Sequence, residues 1–156
     1  MVGPDRRLDV LLVSSSGGVL LDVLALSPWW RQHRVTFVAV PGPDTSQRLA
    51  GHVVHWQQEL APASTVRLAV RLAQATAYLR MHSVDVVVSA GSGVAVPWFF
   101  AAKLLRVPRV WVETFNVVGR PGLASRLCAS IATTVLVQHR DLLAGHRRAI
   151  YVGELY

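Results

Sequence analysis

Residues 11–26, LLVSSSGGVLLDVLAL, carry an apolar run into three serines and two glycines and out into a second apolar run. A short apolar run that stops at small residues predicts a buried strand, here Leu8–Ser14. The run after the glycines predicts a helix over Gly18–His33, bent or restarted at Pro28, because proline cannot donate the interior hydrogen bond. The small residues between them have two readings. Glycine can make a tight strand-to-helix turn at positive φ. The bare backbone at a helix start can also hold a phosphate, since first-turn amides are unpaired and the helix dipole favours an anion.

The same alternation continues outward. Strands are expected over Arg34–Val40, Val53–Trp56, Val84–Ser89, Val107–Thr114, Thr133–Gln138 and Ala149–Val152. Helices are expected over Ala63–His82, Val94–Arg106 and Pro121–Ala132, and PGPD at 41–44 reads as a loop. Strands that are continuous Val/Leu runs fit a sheet covered on both faces. The expected fold is a Rossmann-like, doubly wound α/β domain with a parallel sheet, a single domain over 1–156. Strand order is not legible from the pattern.

Composition narrows the function classes. The chain has 156 residues, 52% of them hydrophobic and 16% charged, which is a globular and not a disordered balance. One cysteine, Cys128, excludes an internal disulfide framework and fits a cytoplasmic setting. The N-terminus does not read as a signal peptide, and the longest uncharged run, Val86–Ala102, splits into strand, loop and helix, so no membrane span is expected. The net charge of +7, almost all arginine, favours anionic partners. The arginines form no dense run and no recognition-helix, zinc or RNA-binding signature appears, which argues against nucleic acid.

Three loops could carry chemistry. SSSGG, with Ser15, Ser16, Gly17 and Gly18, follows the first strand. SAGSGVAVP, with Ser89, Gly91, Ser92 and Gly93, follows the fourth. In a parallel sheet both would open beyond the carboxyl ends of the strands, where ligands bind. A dinucleotide is disfavoured, because G-x-G-x-x-G is absent and the second strand ends in Pro41 with no acid for a ribose hydroxyl. The third stretch, PRVWVETFNVVGRPGLASRL at 108–127, puts Glu113 at the end of a buried strand. A carboxylate there with a raised pKa could act as general base; alternatively it binds loop amides or pairs with Arg120 or Arg126. Cys128 reads as a small core residue, and the six histidines show no metal-ligand spacing, so neither a metal nor a cofactor is expected.

Trp29, Trp30, Trp98, Phe99 and Phe100, with Arg67, Arg71 and Gln74 on the long helix, either pack the core or form a basic, aromatic surface. The latter would suit an anionic membrane or a partner protein.

Taken in order, SSSGG, SAGSGVAVP, VWVETFNVVGRPGLASRL, VLVQ and YVGELY resemble the acceptor-side subunit of the two-part UDP-GlcNAc transferase that acts on dolichol-linked GlcNAc. Bacterial exopolysaccharide subunits of the PssD type share that pattern. The resemblance implies the N-terminal half of a split GT-B glycosyltransferase, inverting and metal-independent, and inactive without a separate donor-binding subunit. Its substrates would be a UDP-sugar, reached through the partner, and a polyprenyl-diphosphate-linked acceptor. It implies acceptor contacts at Ser15, Ser16, Gly17, Gly18, Ser89, Gly91, Ser92, Gly93 and Asn116. Glu113 would polarise the acceptor hydroxyl, and Gly153, Glu154, Leu155 and Tyr156 would dock the partner. Many members read GGH where this chain has Val19, which shifts the weight of catalysis to Glu113. Association with the inner face of the cell membrane would be peripheral. A non-catalytic membrane adaptor that recruits a transferase, and a stand-alone small-molecule binder, are the alternatives.

Overall fold

The apolar run around Leu11 forms β1, Asp9–Ser14, the third strand of a seven-stranded sheet. A computed structural model describes residues 6–59, 65–114, 122–146 and 148–153. In chain order, β1 leads to α1 (Gly18–Ala25), α2 (Ser27–Trp30), β2 (Arg34–Ala39), α3 (Pro43–Arg48) and β3 (Val53–Trp56). Then come α4 (Thr65–Met81), β4 (Val86–Ser89), α5 (Ala95–Leu104), β5 (Arg109–Glu113), α6 (Leu123–Ile131) and β6 (Thr134–Val137). A 3-10 helix, Arg140–Gly145, and β7 (Ala149–Tyr151) complete the described chain.

The strand order is β3-β2-β1-β4-β5-β6-β7 and every pairing is parallel. The chain therefore winds outward from β1 to β3, then crosses back to place β4 on the other side of β1. Right-handed crossovers running in opposite directions put their helices on opposite faces. The core shows this as two layers. Val10, Leu12, Phe37, Ala39, Val88 and Val112 pack under Leu20 and Val23 of α1 and Trp30 of α2. Leu11, Val13, Val38, Val87, Trp111 and Val135 face α4, α5 and α6 on the other side. Alternate residues of each strand feed alternate layers, and both layers are buried, which is why the strands read as unbroken apolar runs.

Two local features depart from the expectations, and a third, the restart at Pro28, follows them. PGPD is not wholly loop, because α3 begins at Pro43, where proline is tolerated, and an Arg48–Asp44 pair at 2.8 Å spans one turn. The 3-10 helix after β6 had no signal in apolar periodicity. The helix expected over 18–33 is two helices meeting at Leu26, and Pro28 sits in the first turn of the second.

The aromatic residues mostly serve the core. Trp30, Trp98 and Phe99 are buried and Phe100 packs against the core, so they do not form a surface; Trp29 is exposed. No helix among the described residues is long and apolar enough to cross a membrane.

Candidate functional site

The winding reverses between β1 and β4, and in open parallel sheets that reversal opens a crevice beyond the strand ends. SSSGG follows β1 and SAGSG follows β4, so the two loops are neighbours on one rim. The second approaches the start of α1 closely: a side chain added at Gly91 would lie 3.2 Å from Val19 Cγ2, and Gly91 has φ +154°. Gly17 has φ +68°, which permits the turn into α1, and nothing stands within 4 Å of where a Cβ would project from Gly17, Gly18 or Gly93. Ser16, Gly17 and Gly18 are exposed.

The two loops are built differently. α1 starts with no side-chain cap, so among the described residues no capping side chain occupies its first-turn amides at the rim. The second loop satisfies itself. Ser89 Oγ donates to the Gly91 carbonyl at 3.0 Å and accepts the Gly91 amide at 3.3 Å. Ser92 Oγ accepts the Val94 amide at 3.2 Å, with Ser92 itself held at φ +84°. Ser15 Oγ donates to the Ser16 carbonyl at 3.3 Å. Of the expected acceptor contacts, Ser16–Gly18 and Gly93 present open surface, whereas Ser15, Ser89 and Ser92 hold loop shape.

Glu113 ends β5 beside β4 and is 2% exposed. Its side chain lies on the Trp111 face, two residues apart along the strand. The Trp111 indole N–H donates to Glu113 Oε2 at 2.8 Å, and His146 Nε2 lies 3.8 Å from the same oxygen. These contacts are with neither of the arginines considered as its partners. Asn116, Arg120, Glu154, Leu155 and Tyr156 lie outside the described residues, while Gly153, with φ +82°, follows β7.

Gln57, Thr114 and Gln138, which pattern reading passed over, collect at this rim beside the residues it singled out. Of ten buried polar or charged residues described, seven stand at or just beyond strand ends: Ser14, Ser15, Gln57, Ser89, Glu113, Thr114 and Gln138. The signal for them is the first polar residue after each apolar run. Gln57 Oε1 accepts the Trp98 indole at 2.8 Å, and its buried Nε2 has no partner among the described residues. Cys128 is fully buried and burial pushes its thiol up to about 12, which keeps it out of nucleophilic chemistry. Among the described residues no group of three or more His, Cys, Asp or Glu could hold a metal ion.

An open parallel sheet with small-residue loops at its reversal is an anion- and ligand-binding class of α/β domain. The chain belongs to glycosyltransferase family 28: the profile of the family's N-terminal domain matches residues 19–137. No curated protein matches by sequence. Among solved structures, MurG from Acinetobacter baumannii superposes with TM-score 0.71 at 19% identity, covering 95% of this chain and 44% of that one. UDP-GlcNAc 2-epimerase from Methanocaldococcus jannaschii gives 0.73 at 12% identity, with 94% and 46% covered. A glycosyltransferase from Rickettsia africae gives 0.73 at 13% identity, with 94% and 43% covered. The fold is thus that of the N-terminal domain of GT-B glycosyltransferases, and the chain spans less than half the length of these structures.

Proposed function

We propose that this chain is the acceptor-side half of a glycosyltransferase, moving a sugar from a UDP-sugar to a polyprenyl-diphosphate-linked acceptor in polysaccharide biosynthesis. The observation that carries the reading is the uncapped start of α1 beside the reversal between β1 and β4. Backbone amides there suit a diphosphate, because they offer donors and partial positive charge with no side chain to displace. Ser16, Gly17, Gly18 and Gly93 frame the acceptor head group, and the motif resemblance adds Asn116, which lies outside the described residues. Membership of family 28 supports sugar transfer as the chemistry. The motif order supports a PssD-like member working with a separate donor-binding subunit. Residues Gly153, Glu154, Leu155 and Tyr156 would dock that subunit, whose helix dipoles and donors would steady the departing UDP. The reaction would invert the anomeric centre and need no metal.

Glu113 is the group assigned to polarise the acceptor hydroxyl, its carboxylate taking the proton as the oxygen attacks. Trp111 and His146 fix one of its oxygens. The N-terminal half of α4, the end of that helix nearer this rim, exposes Val66 (72%), Leu68 (39%) and Val70 (49%) next to Arg67 and Arg71. That mixture suits peripheral seating on an anionic membrane, where the lipid-borne acceptor resides.

One observation favours a second reading, a non-catalytic adaptor that recruits a transferase: Glu113 is buried and bonded to Trp111 instead of lying open to the crevice. One experiment separates the two. The chain is coexpressed with a donor-binding partner and transfer from UDP-sugars to a polyprenyl-diphosphate acceptor is measured for the native chain and for Glu113→Gln. Turnover reduced by about 10²-fold or more, with the complex intact, is expected for a base. Full activity of the variant assigns Glu113 to structure, and no transfer by the native pair rejects the transferase reading.

A further inference from the structure

On the face of the sheet covered by α5 and α6, a cavity of about 580 Å³ opens between α6 and the segment that leads from the 3-10 helix into β7. Lys103 from the end of α5, Arg109 from the start of β5, Arg126 from α6, and His146 and Arg148 from the approach to β7 all line it. None of the lining residues is a carboxylate. The small side chains of Ala129 and Ala132 leave the floor open.

Arg109 is the informative member. It is 8% exposed, yet its hydrogen-bond partners among the described residues are neutral: Nε donates to the Ile131 carbonyl and Nη1 to the Val107 carbonyl, both at 2.8 Å. Those two bonds fix the plane of the guanidinium and leave Nη2 with no bond among the described residues. A buried cation without a counter-charge is costly, and such sites ordinarily contain a paired acid. Burial, and then the charge of Arg148, depress the Arg109 pKa, so the neighbouring cation adds to the cost instead of relieving it. Cations from four separate elements therefore converge on one cavity, and among the described residues the acid that approaches its lining is Glu113, 3.8 Å from His146 and not paired with Arg109.

We propose that this cavity is a binding site for a phosphate-bearing anion, with the fixed Arg109 guanidinium at its floor and Arg126, Arg148 and Lys103 closing around the ligand. A planar fork pre-set by two backbone bonds matches a tetrahedral oxyanion, and cations from several directions match one that carries more than a single charge. The ligand is either a soluble phosphate compound or the phosphate of a lipid head group. The site does not depend on the chain being part of a transferase.

The test uses the full chain without a partner. Pyrophosphate is titrated calorimetrically at low salt into the native chain, into Arg126→Gln/Arg148→Gln, and into the control Arg31→Gln/Arg80→Gln, which has the same net charge. Saturable one-site binding, weakened about tenfold or more only in the cavity variant, is expected. No saturable binding, or equal weakening in the control, overturns the proposal. Arg109→Gln should abolish binding; because it also removes backbone bonds, it is read only if circular dichroism shows a native fold, and the exposed pair of substitutions decides otherwise. Flotation with phosphatidylglycerol/phosphatidylcholine vesicles then separates the sources. Vesicle binding that pyrophosphate displaces, and that the cavity variant loses, identifies a lipid phosphate. Vesicle binding that neither alters, or none, identifies a soluble one.

Discussion

At the residue scale, the contact between Gly91 and Val19 ties the two rim loops together. Gly91→Ala must place a methyl 3.2 Å from Val19 Cγ2 on a backbone at φ +154°, so it should destabilise the fold by about 1–3 kcal/mol. Combined with Val19→Ala, part of that loss should return, because the facing methyl groups are gone while the backbone strain stays. Denaturant melts of the four-member cycle measure the coupling, and strict additivity would show that the loops do not press on each other. His55 makes a second case. Burial, then Arg71 and His82, lower its pKa below 6.5, so the unfolded chain binds the proton more tightly than the folded one. Its contribution to stability is complete above the unfolded value and is lost as pH falls through that value toward the folded one. His55→Gln should flatten that portion of the stability profile, measured by melts across pH 5–8. The sequence made Gly17, Gly91 and Glu113 visible because glycine pairs and a lone acid interrupt apolar runs. It could not show that Ser89 and Ser92 bond to their own loop, since a serine that shapes a turn and one that binds a ligand are spelled alike.

At the scale of elements, α4 is two helices in one. Its C-terminal half buries Ala75 and Leu79 and packs Leu72 and Tyr78 on the core, while residues 65–70 are exposed throughout. Leu79→Ala should therefore cost about 2–4 kcal/mol, whereas Leu68→Ser with Val70→Ser should change the melting free energy little and reduce binding to anionic vesicles. Equal stability losses at both ends would show that the exposed half is covered in solution. The strands were legible because burial on both faces leaves no polar register to confuse them. α3 was not, because Pro and Gly at 41–43 punctuate turns as often as they start helices. Trp98 reached the core for a reason outside any local window: its indole N–H finds Gln57, 41 residues away.

For the molecule as a whole, the class of fold followed from alternation, but the strand order did not, because parallel pairing joins residues distant in sequence. β1 hydrogen-bonds to β2 on one side and to β4 on the other. That order places SSSGG and SAGSG on one rim, and it also separates the rim's backbone donors from the arginine-lined cavity under α6. The chain-wide positive charge is thus unevenly used. Arg34 and Arg6 are matched by Asp9 and Asp85 near the opposite ends of the strands, whereas the cations around Arg109 have no such acids.

The central position of β1 also sets a timetable for a nascent polypeptide. β1 leaves the ribosome well before β4, and one of its flanks stays bare until residues 86–89 emerge and pair with it. Until then SSSGG has no opposing wall, so a chain still under synthesis can gather β1 to β3 but cannot assemble the rim. The two-loop rim is therefore completed by the crossover that follows β3, and not by the strand that begins it.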